Sequence, residues 1–248
     1  MFFNVYLDEL SKVLNNSGIG CYMGSKLINH LCYADDTVLL SPSLKSLQKL
    51  VEICESFGSK FDILFNTSKT KIMVFQPKQW YVNQVNVLLY NQVIENVTEF
   101  CYLGVEINNY LNDNNEIKHQ YRNLCARSNT LIRKFHDCSP DIKIFLFKTF
   151  CTSVYGLGLW CQFTKKVFNT FKVCYNNAFR MLMDFYKYCT ASNMLVSNNV
   201  SSVGELLRSR QFMILNNISI SQNKLVKQIY QRQNQSPLTE FWNKTLYL

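Results

Sequence analysis

Asp35 and Asp36 are adjacent carboxylates set between two apolar runs, residues 27–33 and 38–40, in the string His30-Leu31-Cys32-Tyr33-Ala34-Asp35-Asp36-Thr37-Val38-Leu39-Leu40. Side-by-side carboxylates repel one another, and a divalent cation with its preference for hard oxygen ligands is the natural compensator. Apolar runs of this length, bounded by polar breaks, suit strands buried on both faces. Two such runs around two or three residues read as a hairpin, and Asp tolerates the left-handed geometry that such turns demand. The pattern therefore predicts two carboxylates at the tip of a hairpin whose legs lie in the core. Asp-Asp is more commonly a solvated turn; the apolar setting and the crowded charge are what point past that use. His30 and Asp62 are the other local candidates for a metal site, so an unrelated divalent-metal hydrolase stays open at this point.

The tetrad Tyr33-Ala34-Asp35-Asp36 resembles the Tyr-x-Asp-Asp signature of reverse transcriptases. Its extension through Thr37-Val38-Leu39-Leu40 is most similar to the non-LTR (LINE-type) retrotransposon enzymes. Asn66-Thr67-Ser68-Lys69-Thr70 matches the family's next motif, Phe100-Cys101-Tyr102-Leu103-Gly104 resembles its primer grip, and Tyr155-Gly156-Leu157-Gly158-Leu159-Trp160 is similar to a Tyr-Gly…Trp pattern that follows its thumb. The resemblance runs in order over roughly residues 2–215. It implies an RNA-directed DNA polymerase that takes an RNA template, a DNA primer, a dNTP and Mg²⁺, with Mn²⁺ as a substitute. In that chemistry a primer 3′-hydroxyl attacks the α-phosphate, with two ions roughly 3.5–4 Å apart on the attacking and leaving oxygens. The resemblance makes Asp35 and Asp36 metal ligands and sets Tyr33 at the primer terminus. It puts Lys69 where charge develops on the departing pyrophosphate. It gives Tyr102, Leu103 and Gly104 the primer strand. Read without the family, Lys69 is an exposed loop lysine and residues 100–104 are an amphipathic strand.

The family uses a further Asp, on a strand upstream of the helix that opens this sequence, and its fingers also lie upstream. Both are expected to be missing here. Asp8 and Glu9 lie on an amphipathic helix where the family has no catalytic carboxylate. The expectation is a C-terminal part of a reverse transcriptase, inactive as this chain; the alternative is a non-catalytic, basic nucleic-acid-binding remnant.

The elements that position these residues read as α+β, a partial polymerase palm followed by a mostly helical, thumb-like region. Phe2, Phe3, Tyr6, Leu7, Leu10, Val13 and Leu14 recur at helical spacing. Residues 19–23 and 27–33 follow as strands around Gly24-Ser25. Ser41-Pro42 suits a helix start, and Leu44, Leu47, Leu50, Val51, Cys54 and Phe57 share one side before Gly58, where the helix is expected to end. Residues 61–65 and 71–75 look strand-like, and 85–90 and 92–97 make a hairpin around Asn91. This is an α+β first domain over 1–108, with a polar, Asn-rich linker at 108–115. From Glu116 the pattern is helical: Ile117, Tyr121, Leu124, Cys125, Ser128, Leu131, Ile132 and Phe135 share a face, with Lys118, Arg122 and Arg133 on an adjoining stripe that suits a duplex backbone. Further helices are expected at 140–155, 165–188, 203–219 and 224–231. They divide into a thumb-like domain, 109–190, and a helical extension, 191–248.

With 248 residues, 48% of them hydrophobic, the chain can bury a real core. Its net charge of +9 is unevenly placed: residues 1–108 hold 8 Lys+Arg against 10 Asp+Glu, whereas residues 109–248 hold 18 against 7. A net −2 followed by a net +11 suggests a carboxylate site beside a polyanion-holding surface. Ten scattered cysteines, none closer than ten residues to the next, and three histidines make no zinc pattern and read as free thiols. With no basic leader, and with the apolar window 142–163 broken by Lys143 and Lys148, an intracellular protein of cytoplasm or nucleus is expected, neither secreted nor membrane-spanning.

Overall fold

A computed structural model describes residues 2–76 and 85–231, so residues 232–248 of the expected C-terminal extension lie outside it. The fold is α+β, and the chain divides into two compact units, Met1–Thr98 and Glu99–Leu248.

The first unit opens with α1 (Phe2–Asn16), which buries Leu7, Leu10 and Leu14. β1 (Cys21–Met23) and β2 (Lys26–Ile28) pair antiparallel across Gly24-Ser25, followed by the β3 (His30–Tyr33) and β4 (Asp36–Leu39) hairpin. α2 (Leu44–Phe61) supplies Leu50, Cys54 and Phe57 to the core it shares with α1. Its N-cap is Ser43, whose hydroxyl accepts from the Ser46 N–H, and not the Ser41-Pro42 pair. Its end is also later than Gly58. That glycine stays helical because a Cβ there would lie 2.4 Å from the Ile63 carbonyl oxygen, and Asp62 takes the left-handed cap with φ +55°. The helix therefore consumes Phe61, and residues 62–65 form no strand.

The expected strand at 71–75 shortens to β5 (Lys71–Ile72), which pairs in parallel with β8 (Glu95–Asn96). Between them β6 (Leu88–Leu89) and β7 (Gln92–Val93) turn on Tyr90-Asn91, both at positive φ, the signature of a type I′ hairpin. The Gln48 amide locks this hairpin to α2, donating to the Leu88 carbonyl (3.1 Å) and accepting from the Leu88 N–H (2.8 Å).

The second unit begins with β9 (Glu99–Tyr102) and β10 (Val105–Asn108), packed on α3 (Asn114–Lys134). α4 (Pro140–Phe150), α5 (Lys165–Leu182), α6 (Ala191–Ser197), α7 (Val203–Ile220) and α8 (Lys224–Gln231) complete it. α4 and α5 are shorter than their apolar patterns predict. Polar Thr152-Ser153 and a left-handed Gly156 follow the first, and Asp184 at φ +55° follows the second. α6 has too short a period to be read from sequence. The core is aromatic: Phe147 meets Tyr175 and Phe179, and Trp160 sets its ring edge-on to Phe171 at 5.4 Å. Gly158 is required where it stands, since a Cβ would lie 2.6 Å from Ile214 of α7.

Two carboxylates tie the first helix of this unit to its surroundings. Glu116, buried, accepts from the Glu106 N–H of β10 (2.7 Å) and from the Gln120 amide (2.8 Å). Asp113 accepts from the N–H groups of Cys161 (2.8 Å) and Gln162 (2.7 Å), closing a loop of nearly fifty residues. Burial pushes the Asp113 carboxyl above its ordinary value, although both N–H donors pull the other way. A carboxyl raised on folding contributes stability at low pH that is lost as the pH climbs through the folded-state value. Asp113→Ala, which strands both donors, should cost about 1–3 kcal/mol. Asp113→Asn keeps an acceptor oxygen without the charge and should gain on the wild type as the pH rises from about 4 towards neutrality. Urea unfolding at the two pH values measures both.

Candidate active site

The acidic pair sits at the tip of the β3–β4 hairpin, closed by a two-residue turn. Tyr33 is paired with Asp36, so only Ala34 and Asp35 make the turn. Ala34, at φ +51°, carries the positive torsion that the sequence assigns to Asp, the sign pattern of a type II′ turn. Both carboxylates are exposed.

The hairpin legs are not in the core, contrary to the reading of their apolar runs. Leu31 is 41% exposed and Tyr33 64%. The reason is the sheet: β3 and β4 pair only with each other among the described residues, so one face of the ribbon packs and the other does not. Residues directly opposite each other share a face. His30, Cys32, Thr37 and Leu39 therefore form the inner face, on which Leu39 joins the α1–α2 core and Cys32 lies beside Ser11 of α1. Leu31, Tyr33, Asp36 and Val38 form the outer one. Apolar runs that read as two buried faces are one packed face and one apolar face turned outward beside the acidic tip.

The anchor of this hairpin went unmarked in the sequence. Asn29, 1% exposed, donates from Nδ2 to the carbonyls of Leu14 (2.6 Å) and Ile19 (2.8 Å), while its own carbonyl accepts from the Leu40 N–H (2.8 Å). One residue thus caps α1, holds the start of β1 and closes the base of β3–β4. Gly20 permits the approach, since a Cβ there would lie 2.3 Å from Asn29 Cβ. The available signal was a lone amide inside an apolar run. His30 Nδ1 is 2.7 Å from Asn29 Oδ1, on the inner face away from Asp36, and burial lowers its pKa. Asp62 is exposed at the left-handed C-cap of α2, where its backbone N–H donates to the Gly58 carbonyl. Among the described residues no three His, Cys, Asp or Glu side chains gather, so the self-contained metal hydrolase lacks a third ligand.

Lys69 is exposed in a turn organised by Asn66, whose Oδ1 accepts from the Lys69 N–H (3.0 Å). No ion pair among the described residues joins its ammonium to Asp35 or Asp36. Tyr102, Leu103 and Gly104 form a tight turn between β9 and β10, with Leu103 and Gly104 both at positive φ. Gly104 backs onto the Tyr155 ring, and a Cβ there would meet it at 3.4 Å. Lys118, Arg122 and Arg133 are all exposed along α3, within roughly 60° of arc at 3.6 residues per turn. Arg122 lies 3.9 Å from the Glu106 carboxylate. Two other basic groups of this unit are committed internally: Arg127 donates to the carbonyls of Phe150, the last residue of α4, and of Ser153, and Lys143 pairs with Asp184 at 3.2 Å.

Residues 1–107 match the family model described as reverse transcriptase (RNA-dependent DNA polymerase). The matched stretch contains Tyr33, Asp35, Asp36, Lys69, Tyr102, Leu103 and Gly104; Lys118, Arg122 and Arg133 lie beyond it. The first 107 residues are therefore similar to a reverse transcriptase domain. A comparison with curated proteins finds no match.

Asn29→Ala removes the side-chain bonds to the carbonyls of Leu14 and Ile19 and to His30 Nδ1 and should cost about 1–3 kcal/mol. Asp35→Asn and Asp36→Asn, at exposed positions, should stay within about 0.5 kcal/mol of wild type. Chemical denaturation of the three variants tests this division between the hairpin's anchor and its tip.

Proposed function

We propose that this chain is part of the RNA-directed DNA polymerase of a non-LTR (LINE-type) retrotransposon. Residues 1–108 would form part of the palm, 109–190 a thumb-like domain and 191–248 a helical extension. The observation that carries the reading is the acidic pair, solvent-facing beside Tyr33 on a two-residue turn, inside the stretch that matches the reverse transcriptase family. Template RNA, primer and dNTP are the partners this implies, acting in the cytoplasm or nucleus. Among the described residues no helix is long and apolar enough to cross a membrane.

Asp35 and Asp36 offer the hard oxygen donors that Mg²⁺ or Mn²⁺ prefers, but two carboxylates do not complete an octahedral site. When bound, such ions stabilise the attacking and leaving oxygens of nucleotidyl transfer. The chain's own part is to hold the two carboxylates out from the core on a stiff ribbon, with the apolar face of Leu31, Tyr33 and Val38 beside them for a primer terminus. Lys69 would neutralise charge on the leaving group. Tyr102, Leu103 and Gly104 would steady the primer strand, and Lys118, Arg122 and Arg133 the duplex backbone.

As this 248-residue chain the protein is expected not to extend a primer on a homopolymer template with either Mg²⁺ or Mn²⁺, because among the described residues no third His, Cys, Asp or Glu gathers with the pair. Robust extension would refute that. Weak Mn²⁺ binding, read by water-proton relaxation, should fall in Asp35→Asn and Asp36→Asn. The net +11 of residues 109–248 favours a second reading, a basic nucleic-acid-binding remnant without chemistry. On either reading, affinity for a duplex should drop with salt, and replacing Lys118, Arg122 and Arg133 with Ala should flatten the log–log slope by about 0.9 per lost phosphate contact. Filter binding over a salt series measures it, and binding indifferent to salt would remove both roles for the helical half.

A further inference from the structure

Helices α3 and α5 border a groove of about 600 Å³ lined by polar and apolar side chains, among them Tyr121, Asn129, Lys166 and Met181. Cys125 of α3 and Cys174 of α5 also line it, and their Sγ atoms are 3.3 Å apart although 49 positions separate them in sequence. The pair is unbonded, both side chains are half-buried, and the groove gives a small molecule access from solvent. Closing the sulfurs to an S–S bond of about 2.05 Å requires a movement of only about 1.3 Å, within the reach of side-chain torsions.

We propose that Cys125 and Cys174 form a covalent modification site, a dithiol that low-molecular-weight disulfides convert into an intrachain cross-link between α3 and α5. The Cys125 thiolate attacks one sulfur of the small disulfide, forming a mixed disulfide and expelling one thiolate. Cys174 then attacks Cys125 Sγ, forming the protein disulfide and expelling the second. The two cysteines lose two protons and two electrons, and the small disulfide is reduced to two thiols, so the exchange needs no other oxidant. Cys174 is written second because burial pushes its thiol above the ordinary range; the same bond closes whichever sulfur attacks first. α3 also carries Lys118, Arg122 and Arg133, so the cross-link fixes the basic helix to its neighbour.

The test uses the full reduced chain, treated with oxidised glutathione under native conditions, then alkylated and digested with trypsin. Cys125 and Cys174 fall on separate tryptic peptides, residues 123–127 and 173–180, each with a single cysteine. The expected result is these two peptides joined, in several-fold excess over any other cysteine pairing and with Cys125 and Cys174 both lost to alkylation. Cys174→Ser should arrest as a glutathione adduct on Cys125. A wild-type chain that stops at the adduct, or that joins these peptides no more often than others, as it should when treated in urea, would overturn the proposal.

Discussion

The first unit rests on the buried amide of Asn29. An unpaired amide at that depth would cost on the order of 1–3 kcal/mol, and here its Nδ2 reaches the carbonyls of Leu14 and Ile19 while its Oδ1 meets the neighbouring His30 ring. The end of α1, the start of β1 and the base of the acidic hairpin are fixed relative to one another because they share that residue. Gly20 follows from it: the backbone can come this close only where no Cβ intervenes. The carboxylates at the far end of the ribbon cost the fold little, because all the desolvation is concentrated at the near end.

The second unit follows the same logic with ionisable groups. Asp113 and Glu116 stand at the start of α3, and each accepts from backbone N–H groups brought from elsewhere, the 160–162 loop for Asp113 and β10 for one oxygen of Glu116. An aromatic core around Phe147, Tyr175 and Trp160 supplies the burial, while the hydrogen bonds from these carboxylates specify which backbone segments meet. Among the basic groups of this half, Arg127 and Lys143 serve the fold, while Lys118, Arg122 and Arg133 stay exposed along α3.

Much of the positioning was legible in the residues. The β1–β2 turn at Gly24-Ser25, the tight turn at Asp35 and the stripe on α3 follow from turn chemistry and from period, whereas the turn at Leu103-Gly104 breaks a stretch that reads by itself as an amphipathic strand. Three readings changed for identifiable reasons. Gly58 looks like a helix stop, but its hydrogen makes room for the Ile63 carbonyl, a non-local demand. The runs beside Asp35 look doubly buried, yet a two-stranded ribbon has one packed face. The positive torsion at the tip belongs to Ala34 because the register pairs Tyr33 with Asp36, a choice that residue preference alone does not make.

Sequence by itself determined the chemistry on offer: an acidic pair in a reverse-transcriptase-like string, a lysine and a primer-grip-like turn downstream, and a cationic helical half. These are local patterns, carried by neighbours in the chain and by helical period. Only the tertiary structure decided which face of the hairpin is outward, that Asn29 bears it, and that Cys125 and Cys174 touch. Each of those depends on segments distant in sequence meeting in space, and the free energy of such meetings comes from packing and hydrogen-bond satisfaction that no local stretch encodes.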